Sequence, residues 1–111
     1  MFLMGIILYR EEYLEDILAL FAELGILDVL TVEAQSLRRM LSHRNPLFAG
    51  LRFERADDYA KLLLAIVESK ATPKVMKELL LEIGVNLDEP GVGRVFMIPL
   101  SEVQGFGAAL L

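Results

Sequence analysis

Four consecutive residues, Gly91-Val92-Gly93-Arg94, have the types and spacing for anion chemistry. Two glycines around one residue let the backbone take positive φ and let another group approach its N–H donors. Arg94 adds a permanent positive charge beside those donors, and phosphate is the anion such cradles commonly hold. The same residues also suit a plain turn, with Pro90-Gly91 and Gly93 leading into a strand and Arg94 as a solvated edge charge. A second concentration of charge lies upstream: Arg38, Arg39, Arg44, Arg52 and Arg55 form a basic island that holds few acids. It suits an acidic partner, a fold-back over an anion site, or simple solvation. Phe48 and Phe53, in the same stretch, are the aromatics placed for partner contact.

Other chemistry finds less support. His43 is the sole histidine and has no neighbouring carboxylate or second ligand, so it reads as an exposed loop residue and no metal is expected. Asp57-Asp58 and Asp88-Glu89 are neighbours in sequence, which does not make a catalytic dyad. With no nucleophile, acid–base pair or metal set to point to, the chain does not read as an enzyme.

The elements that must position these residues belong to one domain of 111 residues. Its hydrophobic fraction of 55% and mean hydropathy of +0.49 are high for a small monomer, so some apolar surface is expected to be shared between subunits. The net charge of −5 argues against nucleic acid as a partner. No cysteine is present, which excludes disulfides and thiolate metal sites and fits a reducing, cytoplasmic compartment. The apolar run from Phe2 to Tyr9 lacks a basic flank and is too short to span a bilayer, so it reads as a strand and no membrane insertion is expected.

Periodicity then orders the chain. Residues 2–9 form a continuous apolar first strand, suited to cover on both faces. From Glu11, Leu14, Ile17, Leu18, Phe21 and Leu24 fall at helical spacing, with Gly25 as the stop. Val29 to Gln35 alternates as a second strand, Leu30, Val32 and Ala34 opposing Thr31, Glu33 and Gln35. Residues 36–59 read as a long excursion, of a length that is informative in itself. Leu62 to Val67 is a third strand, with helical continuation from Asp57 as the competing reading. Thr72-Pro73 opens a second helix, with threonine as cap. That helix turns Val75, Met76, Leu79, Leu80 and Ile83 inward, pairs Lys74 with Glu78, and stops at Gly84. After the loop Val85 to Gly93, Val95 to Ile98 forms the last strand. The expected fold is α+β, a ferredoxin-like βαββαβ sandwich with a four-stranded antiparallel sheet and two helices on one face. The other face is too apolar for water, which predicts self-association through the sheet.

Over nearly its whole length the chain resembles the PII signal-transduction proteins, trimeric regulators of nitrogen and carbon metabolism. The resemblance is carried by Leu24-Gly25-Ile26, by a second strand running into a long loop, and by Lys61 to Val67 feeding the second helix. It is sharpest at Gly91-Val92-Gly93-Arg94-Val95-Phe96-Met97-Ile98-Pro99, similar to the family's Gly-x-Gly-Lys-aliphatic-Phe-x-Ile-Pro segment. It implies a homotrimer with sheets facing inward and nucleotide pockets between subunits, each built from the loop base, the glycine turn and the tail. Gly91, Val92 and Gly93 would offer N–H groups to the phosphates of ATP, ADP or another adenine nucleotide, with Arg94 in place of the family's turn lysine. The long loop, with Arg38, Arg39, Arg44 and Phe48, would present itself to a membrane transporter or a metabolic enzyme. The chain also departs from the pattern. Ser36-Leu37-Arg38-Arg39-Met40 replaces the loop's Gly-x-Gly-x-Gln, Gly105-Phe106-Gly107 stands where the tail has Arg-x-Arg, and Phe48 replaces the loop tyrosine. A structural or assembly trimer that has lost its ligand is the other expectation these departures leave.

Overall fold

A computed structural model describes residues 1–37 and 59–105. The long excursion, with Arg38, Arg39, Arg44 and Phe48, lies almost wholly outside the described residues, as does the end of the tail from 106. Four strands and two α-helices account for most of the rest: β1 (Phe2–Leu8), a 3-10 turn (Glu11–Tyr13), α1 (Leu14–Glu23), β2 (Val29–Glu33), β3 (Lys61–Val67), α2 (Thr72–Glu82) and β4 (Gly93–Pro99). The sheet runs β2-β3-β1-β4 with every neighbouring pair antiparallel. This α+β arrangement is compatible with the ferredoxin-like fold.

Both helices end as their glycines dictate. Gly25 (φ +78°) and Gly84 (φ +88°) take the left-handed conformation. Gly25 N–H donates to Ala22 O and Ile26 N–H to Phe21 O; Gly84 N–H donates to Leu81 O and Val85 N–H to Leu80 O. That double closure is the Schellman motif, which satisfies carbonyls the helix leaves open. The start of α2 differs from the sequence reading. Thr72 is the first helical residue, and the hydroxyl of Ser69 accepts the Ala71 N–H at 3.1 Å.

Alternation sorts the strands into two faces. Met4, Ile6 and Leu8 of β1 and Leu63, Ala65 and Val67 of β3 enter the core, where they meet Ile17, Leu20 and Phe21 of α1 and Met76 and Leu80 of α2. Both helices therefore cover the same face. Leu20 joins the core although the periodicity passed it over, while Leu24, Val75 and Ile83 are exposed. The opposite face carries Leu30, Leu64, Gly5 and Phe96 in one cross-strand row and Ile66, Leu3 and Ile98 in the next. Leu30 is 63% exposed and Ile66 49%. At the centre of this face Phe96 lies on Gly5, where a Cβ would stand 2.1 Å from the ring's Cζ. The apolar side of β2 thus turns away from the helices, and the uncovered face is more hydrophobic than water-facing sheets usually are.

Candidate functional site: a cationic cleft at the free edge of β4

The glycine turn is built by local chemistry. Glu89-Pro90-Gly91-Val92 is a type II turn: Pro90 fits its first central position, Gly91 (φ +85°) supplies the positive φ of its second, and Val92 N–H closes it on Glu89 O at 3.2 Å. Asn86 steadies the approach, its Oδ1 accepting the Asp88 N–H at 3.0 Å. Tyr9 N–H donates to Val92 O at 2.9 Å, tying the turn to the end of β1. Val92 itself is 1% exposed and belongs to the core. The Val92 N–H, which the resemblance offers to phosphate, donates to Glu89 O here, and its side chain anchors the turn in the core.

Gly93 is needed for a different reason. A Cβ there would stand 2.7 Å from Ile7 O, so only glycine lets β4 begin this close to β1. The ladder also fixes which way its N–H points. The Tyr9–Val92 bond and the Leu100 N–H to Met1 O bond at 3.0 Å set the phase of the antiparallel pairing. Ile7–Arg94, Gly5–Phe96 and Leu3–Ile98 are then the hydrogen-bonded pairs, and the N–H groups of Gly93, Val95 and Met97 point outward from the free edge. Pro99, which has no N–H, falls in that outward series, where the ladder asks nothing of it.

Along that edge runs a cleft of about 810 Å³, with Gly93, Arg94 and Val95 on one side and the exposed flank of α2 on the other. Lys74 and Lys77, one turn apart, line it from the helix. Lys77 Nζ sits 2.9 Å from Asp88 Oδ1, so the loop carboxylate holds this lysine in place. The expected Lys74–Glu78 pair does not form, and Lys74 has no ion-pair partner among the described residues. Arg94 alternates with Gly93 and Val95, so it leaves β4 toward the uncovered face and meets the cleft at the strand's rim. Three cations face two carboxylates, Glu78 and Asp88, which makes the cleft positive on a chain of net charge −5. Leu81 and Leu87 give it an apolar lining.

Of the expected site residues Gly93 and Arg94 line this cleft and Gly91 does not, and Lys74 and Lys77 of α2 line it beside them. Their three-residue spacing marks them as a pair on one helix face, but not which element that face meets. The base of the long excursion shares this end of the sheet. Ala34 N–H donates to Ala60 O at 3.1 Å, and Lys61 and Gly93 are both partners of Leu8. Two strand spacings, about 10 Å, separate them. The tail does not: it leaves β4 from the opposite end, about 20 Å away along the strand.

A second cleft, of about 450 Å³, lies at that opposite end between Leu24, Leu27, Ile66 and Val75. Asp28 and Glu68 also line it and no cation does, so it does not suit an anion. Among the described residues no group of three potential metal ligands occurs, and no helix is long and apolar enough to cross a membrane. No family model matches the chain, and neither does any curated protein. What defines its class is the four-stranded antiparallel sheet with two helices on one face and the cationic cleft at its edge.

Proposed function

We propose that the chain is a PII-like regulatory protein, a cytoplasmic homotrimer that binds ATP, ADP or another adenine nucleotide between subunits and presents residues 36–59 to a transporter or enzyme. The observation that carries this reading is the start of β4, Gly93 and Arg94, opening onto the cationic cleft at the end of the sheet where the excursion begins. Nucleotide and partner-binding loop would then be close enough for one to bias the other. The uncovered apolar face supports the trimer. Half-exposed leucine and isoleucine side chains gain about 1 kcal/mol each when covered. No catalysis is assigned to the protein.

The type II turn favours one other reading, a ligand-free assembly trimer of the same fold. A turn that closes on Glu89 and buries Val92 is complete without an anion. Limited proteolysis separates the two: a regulator predicts that ATP changes the rate of cleavage within residues 38–58, and an assembly trimer predicts the same rate with and without nucleotide. An unchanged rate at saturating ATP would count against the regulatory reading.

A further inference from the structure

We infer that Lys74 and Lys77 of α2, with the outward N–H groups of Gly93 and Val95, hold the phosphate groups of a ligand lying along the free edge of β4. This rests on the anion-site reading above and names the residues and ligand class that reading leaves open.

Three independent features converge on this cleft. The first is the ladder phase, which aims the Gly93 and Val95 N–H groups out of the sheet, where no strand among the described residues pairs with them. Edge N–H groups that alternate along a strand are two residues, about 7 Å, apart with the outward Gly93 C=O between them, so each would donate to a different phosphate oxygen of one ligand. The second is Lys74, an ammonium without an ion-pair partner among the described residues, beside Lys77, which Asp88 holds in position at 2.9 Å. A held lysine and an available one form a graded pair: Asp88 orients the first while the second keeps its full charge for the ligand. The third is Leu81, 53% exposed on the cleft wall, which an inorganic anion would leave uncovered and the body of an organic phosphate would cover. The cleft thus fits a phosphate-bearing organic molecule whose phosphates meet the helix lysines and edge amides.

The test is calorimetric titration of the full chain with pyrophosphate and with ATP at low ionic strength, comparing wild type, Lys74→Gln and the exposed Lys70→Gln as a charge control. Lys74→Gln removes a charge that holds no partner in the fold, and thermal melting checks that it folds as wild type does. The expected result is pyrophosphate binding weakened roughly tenfold by Lys74→Gln, from the loss of one charge-assisted hydrogen bond, and unchanged by Lys70→Gln. Equal binding by wild type and Lys74→Gln, or no pyrophosphate binding by wild type, overturns the inference. Concentration-dependent protection of the Gly93 and Val95 amides without ligand would place a second copy's strand on this edge and also overturn it. The two readings fail separately. Lys74-dependent pyrophosphate binding without ATP binding upholds this site and removes the adenine nucleotide, whereas ATP binding indifferent to Lys74 removes this site and keeps the nucleotide.

Discussion

Gly91 and Gly93 stand two residues apart and are glycine for unrelated reasons, which their substitutions separate. Gly91→Ala places a side chain at φ +85° and is expected to cost about 1–2 kcal/mol in urea unfolding. It leaves the start of β4 in register. Gly93→Ala drives a Cβ to 2.7 Å from Ile7 O, so β4 must move off β1, with an expected loss of about 1–3 kcal/mol and shifted amide resonances along the β4 edge. Tyr59 offers a third residue-level test. Its hydroxyl is buried and has no hydrogen-bond partner among the described residues. Burial first, then the charges of Glu11 and Glu33, raise its pKa above the ordinary 10.0. A raised folded-state pKa means the neutral phenol is the form the fold favours. Stability is therefore whole below pH 10 and falls as the pH climbs from there through the folded-state value. Tyr59→Phe is expected to be neutral or stabilising at pH 7 and to remove this alkaline loss, as read from urea midpoints at pH 8 and above pH 10.

At the scale of elements, the helices and strands were legible because their signals are local. The glycines at 25 and 84 stop the helices through hydrogen bonds made within six residues, and α2 shows a helical period that the continuous apolar runs of β1 and β3 lack. What pattern could not supply was which neighbour each face meets. Leu20 is core and Val75 exposed, which the helical period alone does not decide. The burial of Val92 is not legible either, because a glycine-flanked residue has no periodicity to reveal it. Lys74 and Lys77 reach the cleft because their flank of α2 faces the β4 edge, which the sequence does not say. Gly5 shows the same limit: it interrupts an apolar run without apparent purpose until register sets Phe96 opposite it. Gly5→Val should force Phe96 off the strand, at a cost of about 1–3 kcal/mol, and roughen the centre of the uncovered face. Leu80→Ala, between α2 and the sheet, should cost about 2–5 kcal/mol without altering that face. A thermal melt set beside a native mass for each variant distinguishes the two effects.

At the scale of the molecule, the uncovered face and the cationic cleft make different demands. The face carries Leu3, Leu30, Leu64, Ile66, Phe96 and Ile98, and Leu64 lies within it, paired with Leu30 on one side and Gly5 on the other. Leu64→Asp would bury a carboxylate in any sheet-to-sheet contact, so it is expected to turn the proposed trimer into monomer by sedimentation while the core behind the sheet stays packed. The cleft opens at the strand's rim, and whether it holds a nucleotide decides the proposed function. The most direct measurement is equilibrium binding of ATP, ADP and AMP to the purified full chain, with Arg94→Ala as the comparison and native mass recorded on the same samples. The account predicts saturable binding of at least one of these nucleotides by wild type, weakened by Arg94→Ala roughly tenfold or more, as loss of a charged hydrogen-bond donor should do. A well-folded protein that binds none of the three, or binds them as tightly after Arg94→Ala, would contradict it.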